Sequence, residues 1–144
     1  MKTRKHFKKN GKKTRRSSNN NQQHIVTMFL QMLNTVKLFH WKTFSYAQHK
    51  ATDELYANLN TNIDTFVEIM LGKTGGRVNL TGQKSLPLLD YTNVEDFKRE
   101  VNKYKEFLID MNTDFTTNNN TDLMNVRDEI LGNLNQFTYL LTFK

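Results

Sequence analysis

The chain of 144 residues is long enough for one compact domain with a real hydrophobic core. It carries 21 Lys/Arg against 14 Asp/Glu, and it has no cysteine. Disulfides, thiolate zinc sites and cysteine nucleophiles are therefore excluded, and any metal must be held by histidine and carboxylate. No stretch reaches the roughly 18 apolar residues that a membrane span requires.

The positive charge is concentrated at one end. Residues 1–16, MKTRKHFKKNGKKTRR, hold nine of the 21 basic residues: Lys2, Arg4, Lys5, Lys8, Lys9, Lys12, Lys13, Arg15 and Arg16. They include no acid, whereas the rest of the chain has 12 basic and 14 acidic residues. The arm is thus +9 and the body −2, and the sequence pI of about 9.6 describes the arm. Phe7 is the only large apolar side chain between Met1 and Ile25, so burial cannot repay ordering. Residues 1–20 are expected to be a disordered basic arm, and residues 21–144 a folded domain. The arm lacks the serine content and apolar face of a transit peptide. IVTMFLQML (25–33) lacks the cleavage pattern of a signal peptide, so a secreted protein is not expected.

Four amphipathic helices follow. Ile25, Met28, Phe29, Met32, Val36 and Phe39 recur at three- and four-residue steps and predict a helix over 22–42. Thr43-Phe44-Ser45 breaks the run, with Ser45 placed to cap the next helix. That helix, over 46–71, buries Leu55, Leu59, Ile63, Phe66 and Met70 and ends at Gly72. Residues 73–91 form a long connection holding Gly75, Gly76, Gly82 and Pro87. A loop of that length inside a compact domain implies a crossover. A third helix over 93–114 buries Val94, Phe97, Val101, Tyr104, Leu108 and Met111. After a turn at 115–120, a fourth over 121–142 buries Leu123, Val126, Ile130, Leu134, Phe137 and Leu140-Leu141. Arg127, Asp128 and Glu129 on it read as surface charges, with an intra- or intersubunit ion-pair cluster as the alternative. The expected fold is an all-α four-helix bundle with one long crossover between the second and third helices, the ferritin-like arrangement.

The second helix carries a further stripe. With His49 at zero on a wheel of 100° per residue, Asp53, Asp64 and Glu68 fall at about 40°, 60° and 100°. The apolar residues fall between about 240° and 320°. A histidine and three carboxylates on one stripe fit a solvated face, and they equally fit a metal site. His49 and Glu68 are roughly 28 Å apart along the axis, so one chain cannot bring both pairs to one ion. A two-fold axis through the middle of the helix would set the His49/Asp53 end of one copy against the Asp64/Glu68 end of another.

FHWKTFSYAQHKATDELYANLNTNIDTFVE resembles the ferroxidase segment of the Dps proteins, the DNA-binding ferritin-like proteins. The match rests on His40-Trp41, on His49 and Asp53 as His-x3-Asp, and on Asp64 and Glu68 as Asp-x3-Glu. The link from His40 to His49 is three residues shorter than in that family. The resemblance implies iron, Fe(II) and Fe(III), bound by His40, His49 and Asp53 of one subunit with Asp64 and Glu68 of its two-fold mate, and Trp41 packed nearby. It also implies oxidation by peroxide or dioxygen, assembly into a two-fold dimer and a dodecamer, and non-specific DNA binding through the nine basic arm residues. The whole chain is also similar to a small uncharacterised ferritin-like family of giant DNA viruses, on MKTRKH, HKATDELY and LMNVRDEILGNLNQFTYLLTFK. That resemblance implies a host-cytoplasmic or virion location. Outside a virus, the cytoplasm or nucleoid would be expected. The alternative reading is a catalytically silent, DNA-compacting or virion-associated structural protein. The same arm would equally serve nuclear targeting or packaging.

Overall fold

The computed structural model describes residues 12–115 and 118–143, the side chains of 12–19 and 118 excepted. It is an all-α four-helix bundle: α1 Lys12–Lys42, α2 Tyr46–Thr74, α3 Val94–Asp114 and α4 Thr121–Leu140, with a short 3-10 turn at Asn118–Asn120. No strand occurs among the described residues, and none of the helices is long and apolar enough to cross a membrane.

The side-chain contacts fix the order of the helices. Phe39, near the end of α1, stacks on Phe97 near the start of α3 with ring centroids 4.1 Å apart. Phe97 in turn meets Phe137, near the end of α4. At the other end, Lys73 of α2 pairs with Asp122 of α4 at 3.1 Å. Therefore α1 and α4 run one way, and α2 and α3 the other. Joining the parallel pair α2 and α3 requires a connection that retraces the bundle, and residues 75–93 do so along α1. Gln23 Nε2 donates to Asn79 O at 2.6 Å, Thr27 Oγ1 to Gln83 Oε1 at 3.1 Å, and Lys42 Nζ pairs with Asp90 at 2.8 Å. This is the expected long crossover.

The buried faces of α2 and α3 match the sequence pattern, with Phe66, Leu59, Phe97, Tyr104 and Leu108 fully enclosed. Ser45 caps α2 by accepting from Gln48 N at 3.3 Å, and Asn93 caps α3 by accepting from Glu95 N at 2.7 Å. Three details differ. First, α1 is helical from Lys12, ten residues before the expected start. Lys and Arg are good helix formers, and a helix nucleated on its buried part extends without further burial. Arm residues 1–11 lie outside the described residues. Second, α2 runs through Gly72 and ends at Gly75, whose φ of 70° is the left-handed cap conformation that a side chain would strain. Third, the inward stripe of α4 is 123, 127, 130, 134, 137 and 141, so Arg127 is buried where a surface charge was expected. It lies four residues after Leu123 and three before Ile130, which is core spacing. Its Nη1 donates to Leu108 O at 2.7 Å, Nη2 to Asn112 Oδ1 at 2.8 Å, and Nε to Asp128 Oδ1 at 2.7 Å.

Candidate functional site

The site starts from the three-residue link between α1 and α2. Thr43 N closes the last turn of α1 on Phe39 O, and Thr43 Oγ1 donates to Gln48 Oε1 at 2.7 Å. So short a link folds the last turn of α1 directly onto the first turn of α2. His40 and His49 meet there face to face, with ring centroids 4.0 Å apart and planes 21° from parallel. The shortened spacing thus brings the two histidines into contact.

Their hydrogen bonds are reciprocal. His40 Nδ1 is 3.0 Å from His49 O, and His49 Nδ1 is 3.1 Å from His40 O. A carbonyl oxygen only accepts, so both Nδ1 atoms must donate. Thr52 reinforces this arrangement. Its Oγ1 donates to Gln48 O at 2.8 Å, and it is 3.1 Å from His40 Nδ1, where it serves as a second acceptor. With Nδ1 protonated in each ring, the neutral imidazole keeps its free lone pair on Nε2, the arrangement in which histidine binds a metal. His40 Nε2 lies 4.0 Å from Asp53 Oδ1. His40 is only 7% exposed, whereas His49 and Asp53 are exposed. One copy therefore stacks His40 on His49 and sets His40 beside Asp53.

Asp64 and Glu68 are also exposed on α2, on the same stripe but several turns away. Among the described residues no group of three or more His, Asp or Glu side chains is arranged to hold a metal ion within one chain. Trp41, expected to pack by the site, is instead 68% exposed. It follows His40 by one residue, about 100° around the helix, and so turns outward.

Two residues at the site were missed by sequence reasoning. Thr52 falls at about 300° on the wheel, inside the apolar stripe of α2, and a polar residue there was the available signal. Lys37 was not legible: its Nζ lies 4.4 Å from the Tyr56 ring centroid and 5.8 Å from that of Trp41, a contact made across two helices. Of the positions expected to bind DNA, Lys2, Arg4, Lys5, Lys8 and Lys9 lie outside the described residues. Lys12, Lys13, Arg15 and Arg16 begin α1.

No curated protein and no solved structure matches the chain. A family profile described as a family of unknown function, DUF5856, matches residues 40–141. The match opens at His40, spans all of α2, α3 and α4, and leaves the basic arm outside. By that match over well over half its length, the chain belongs to the DUF5856 family.

Proposed function

We propose that this protein is a Dps-like mini-ferritin: it binds and oxidises Fe(II) at sites shared by two copies and holds DNA through its basic arm. The observation that carries the reading is the reciprocal bonding of His40 and His49, which leaves Nε2 of both rings free, that of His40 lying 4.0 Å from Asp53 Oδ1. Two imidazoles and a carboxylate suit Fe(II), and additional carboxylates favour Fe(III) after oxidation. Asp64 and Glu68 of a second copy would supply them.

The spacing supports a symmetric partner. The midpoint of His49 and Glu68 coincides with that of Asp53 and Asp64, between Asn58 and Leu59. Two antiparallel α2 helices crossing there set His49 against Glu68 and Asp53 against Asp64 in both directions, as a two-fold contact requires. Ala57, Asn60 and Thr61, all exposed and small or polar, lie next to that crossing point. Iron is the substrate here. Two Fe(II) give one electron each to a peroxide, whose O–O bond breaks and takes up two protons to leave two waters. The protein's part is to fix the ligand atoms and their tautomers.

A second reading is a structural bundle without turnover. It is favoured by the hydrogen bonds that free Nε2, because these also clamp α1 to α2, and by the lack of a group of three or more ligating side chains among the described residues of one copy. Mixed oligomers separate the two. The variant combining Asp64→Ala with Glu68→Ala, and the variant His49→Ala, should each lose iron oxidation. Mixing them should restore part of it, because some pairs then contain one complete site. Oxidation by the Asp64/Glu68 variant at the parental rate would reject the site.

The DNA reading rests on nine cations in residues 1–16 beside a body of net −2. Such an arm binds phosphates and reads no sequence, with affinity falling steeply as salt rises. Deleting residues 1–16 removes none of the residues that fill the core, which begins at Ile25. The deletion should abolish DNA retention in a gel and leave iron oxidation unchanged. Undiminished retention at physiological salt would assign the arm to targeting or packaging.

A further inference from the structure

We infer that pairing of two copies through α2 is gated by a divalent cation: without metal the two faces repel, and with metal they associate. This rests on the shared-site reading above and adds a regulatory consequence to it.

The argument begins with the charges on the face. In the antiparallel crossing, each end collects Asp53 from one copy and both Asp64 and Glu68 from the other. In the neutral form that binds a metal through Nε2, the two imidazoles at that end bring no positive charge. Three carboxylates therefore converge where water is being removed. Like charges there repel far more than they do in bulk solvent, because the effective dielectric falls. Asp53 facing Asp64 is the sharpest conflict, since each would otherwise be fully hydrated on an exposed helix face.

The cations of the same face do not balance the acids. Lys37 is held over the Tyr56 ring, and neither it nor the exposed Lys50 makes an ion pair among the described residues. Two lysines per copy stand against Asp53, Glu54, Asp64 and Glu68. A divalent cation at each end, ligated by His40 and His49 together with the three carboxylates, removes the excess negative charge.

Something must also favour pairing once the charge is cancelled. Tyr46 is 75% exposed and Trp41 nearly as open. Tyr46 and Leu71 share the same midpoint between Asn58 and Leu59, so Tyr46 of one copy meets Leu71 of the other at the rim. Apolar contact at the rim and like charge at the two sites act in opposite directions. The cation decides which prevails.

Sedimentation of the full chain at low micromolar concentration tests this, with Zn2+ as a redox-inert probe for the His/carboxylate set. Self-association should tighten about tenfold or more when Zn2+ is added, and a chelator should reverse it. The double variant Asp53→Asn/Asp64→Asn should pair without metal, with little response to Zn2+. Equilibrium dialysis separates the possible failures. If the parent binds no more Zn2+ than His49→Ala, the shared-site reading falls and the gate with it. If Zn2+ binds through His49 but the sedimenting mass is the same with and without it, the site stands and the gate is overturned. Failure of the double variant to pair without metal would likewise overturn the electrostatic gate.

Discussion

The two helical hairpins of this bundle use their polar residues in opposite ways. In α3–α4 the buried polar groups are mostly bonded within the bundle, with Asn133 Nδ2 the one buried side-chain atom among the described residues that has no partner. Arg127 spends its guanidinium on Leu108 O, Asn112 and Asp128, and Glu100 accepts from Tyr91 Oη at 3.1 Å. Tyr104 is fully buried against Thr35 at 2.7 Å, and burial pushes its phenol well above the ordinary range. In α1–α2 the histidines satisfy one nitrogen each and leave the other open, that of His40 beside the Asp53 carboxylate. A buried polar group whose bonds are all made holds helices together, whereas one with a free lone pair facing an exposed stripe is available to a ligand. On this contrast the proposed site lies on α1–α2, although the charged residues of α3–α4 are as numerous.

Arg127 gives the largest expected effect and the first way to break the contrast. Arg127→Ala removes charge-assisted hydrogen bonds and opens space, and should cost about 2–3 kcal/mol. Arg127→Met keeps most of the apolar volume and leaves only exposed or already bonded partners. It should cost less than half as much. Denaturant unfolding measures both, and iron oxidation by the Met variant should match the parent. A loss of oxidation in a well-folded Arg127→Met protein would mean that the α3–α4 side takes part in the chemistry.

Arg127 also marks where sequence reasoning stopped. The apolar periodicity of Leu55 through Met70 and of Phe97 through Met111 located two buried faces, because those stripes contain no charged residue except Glu100 beside Val101. On α4 the pattern was ambiguous: Val126 fits an apolar reading, but the geometry places Arg127 inward and Val126 only partly buried. The early start of α1 was hidden because helix extension needs no hydrophobic signal. The stripe of His49, Asp53, Asp64 and Glu68 was legible as spacing. What spacing could not supply was the tautomer, since Nδ1 donation depends on the carbonyls of His49 and His40, which the folded link brings within reach.

Thr52 sharpens the contrast from the α1–α2 side. Its hydroxyl is buried, bonded within α2, and 3.1 Å from His40 Nδ1. Thr52→Val keeps the shape and removes the hydroxyl, at a cost of about 1–2 kcal/mol. Residues that orient a metal-binding histidine commonly change metal affinity by about 10-fold or more when removed. Thr52→Val should therefore weaken Zn2+ binding by about tenfold, and Thr52→Ser should restore it. If stability falls while Zn2+ affinity is unchanged, the hydroxyl serves the α1–α2 clamp alone and not the orientation of His40.

The smallest effect belongs to the opposite end of the bundle, where Lys73 ties the end of α2 to the start of α4. Its Nζ bonds both Asp122 oxygens, at 3.1 and 3.3 Å, and Asp122 Oδ1 also accepts from Leu123 N at 2.9 Å. The lysine first, and then the backbone N–H, hold the Asp122 carboxyl below its ordinary value of 3.8. A carboxyl whose pKa is depressed on folding binds its proton more readily in the unfolded chain. Its stabilisation is complete above the unfolded value and disappears as pH falls through the folded one. The pair is open to solvent, so the gain is small and screened by salt. Asp122→Asn should be slightly less stable than the parent at pH 6, and the difference should close as the pH is lowered below about 3.8. Thermal melts of the two proteins at stepped pH measure it. A difference that persisted unchanged well below that pH would mean that the Asp122 contact acts through the geometry of the helix start and not through its charge.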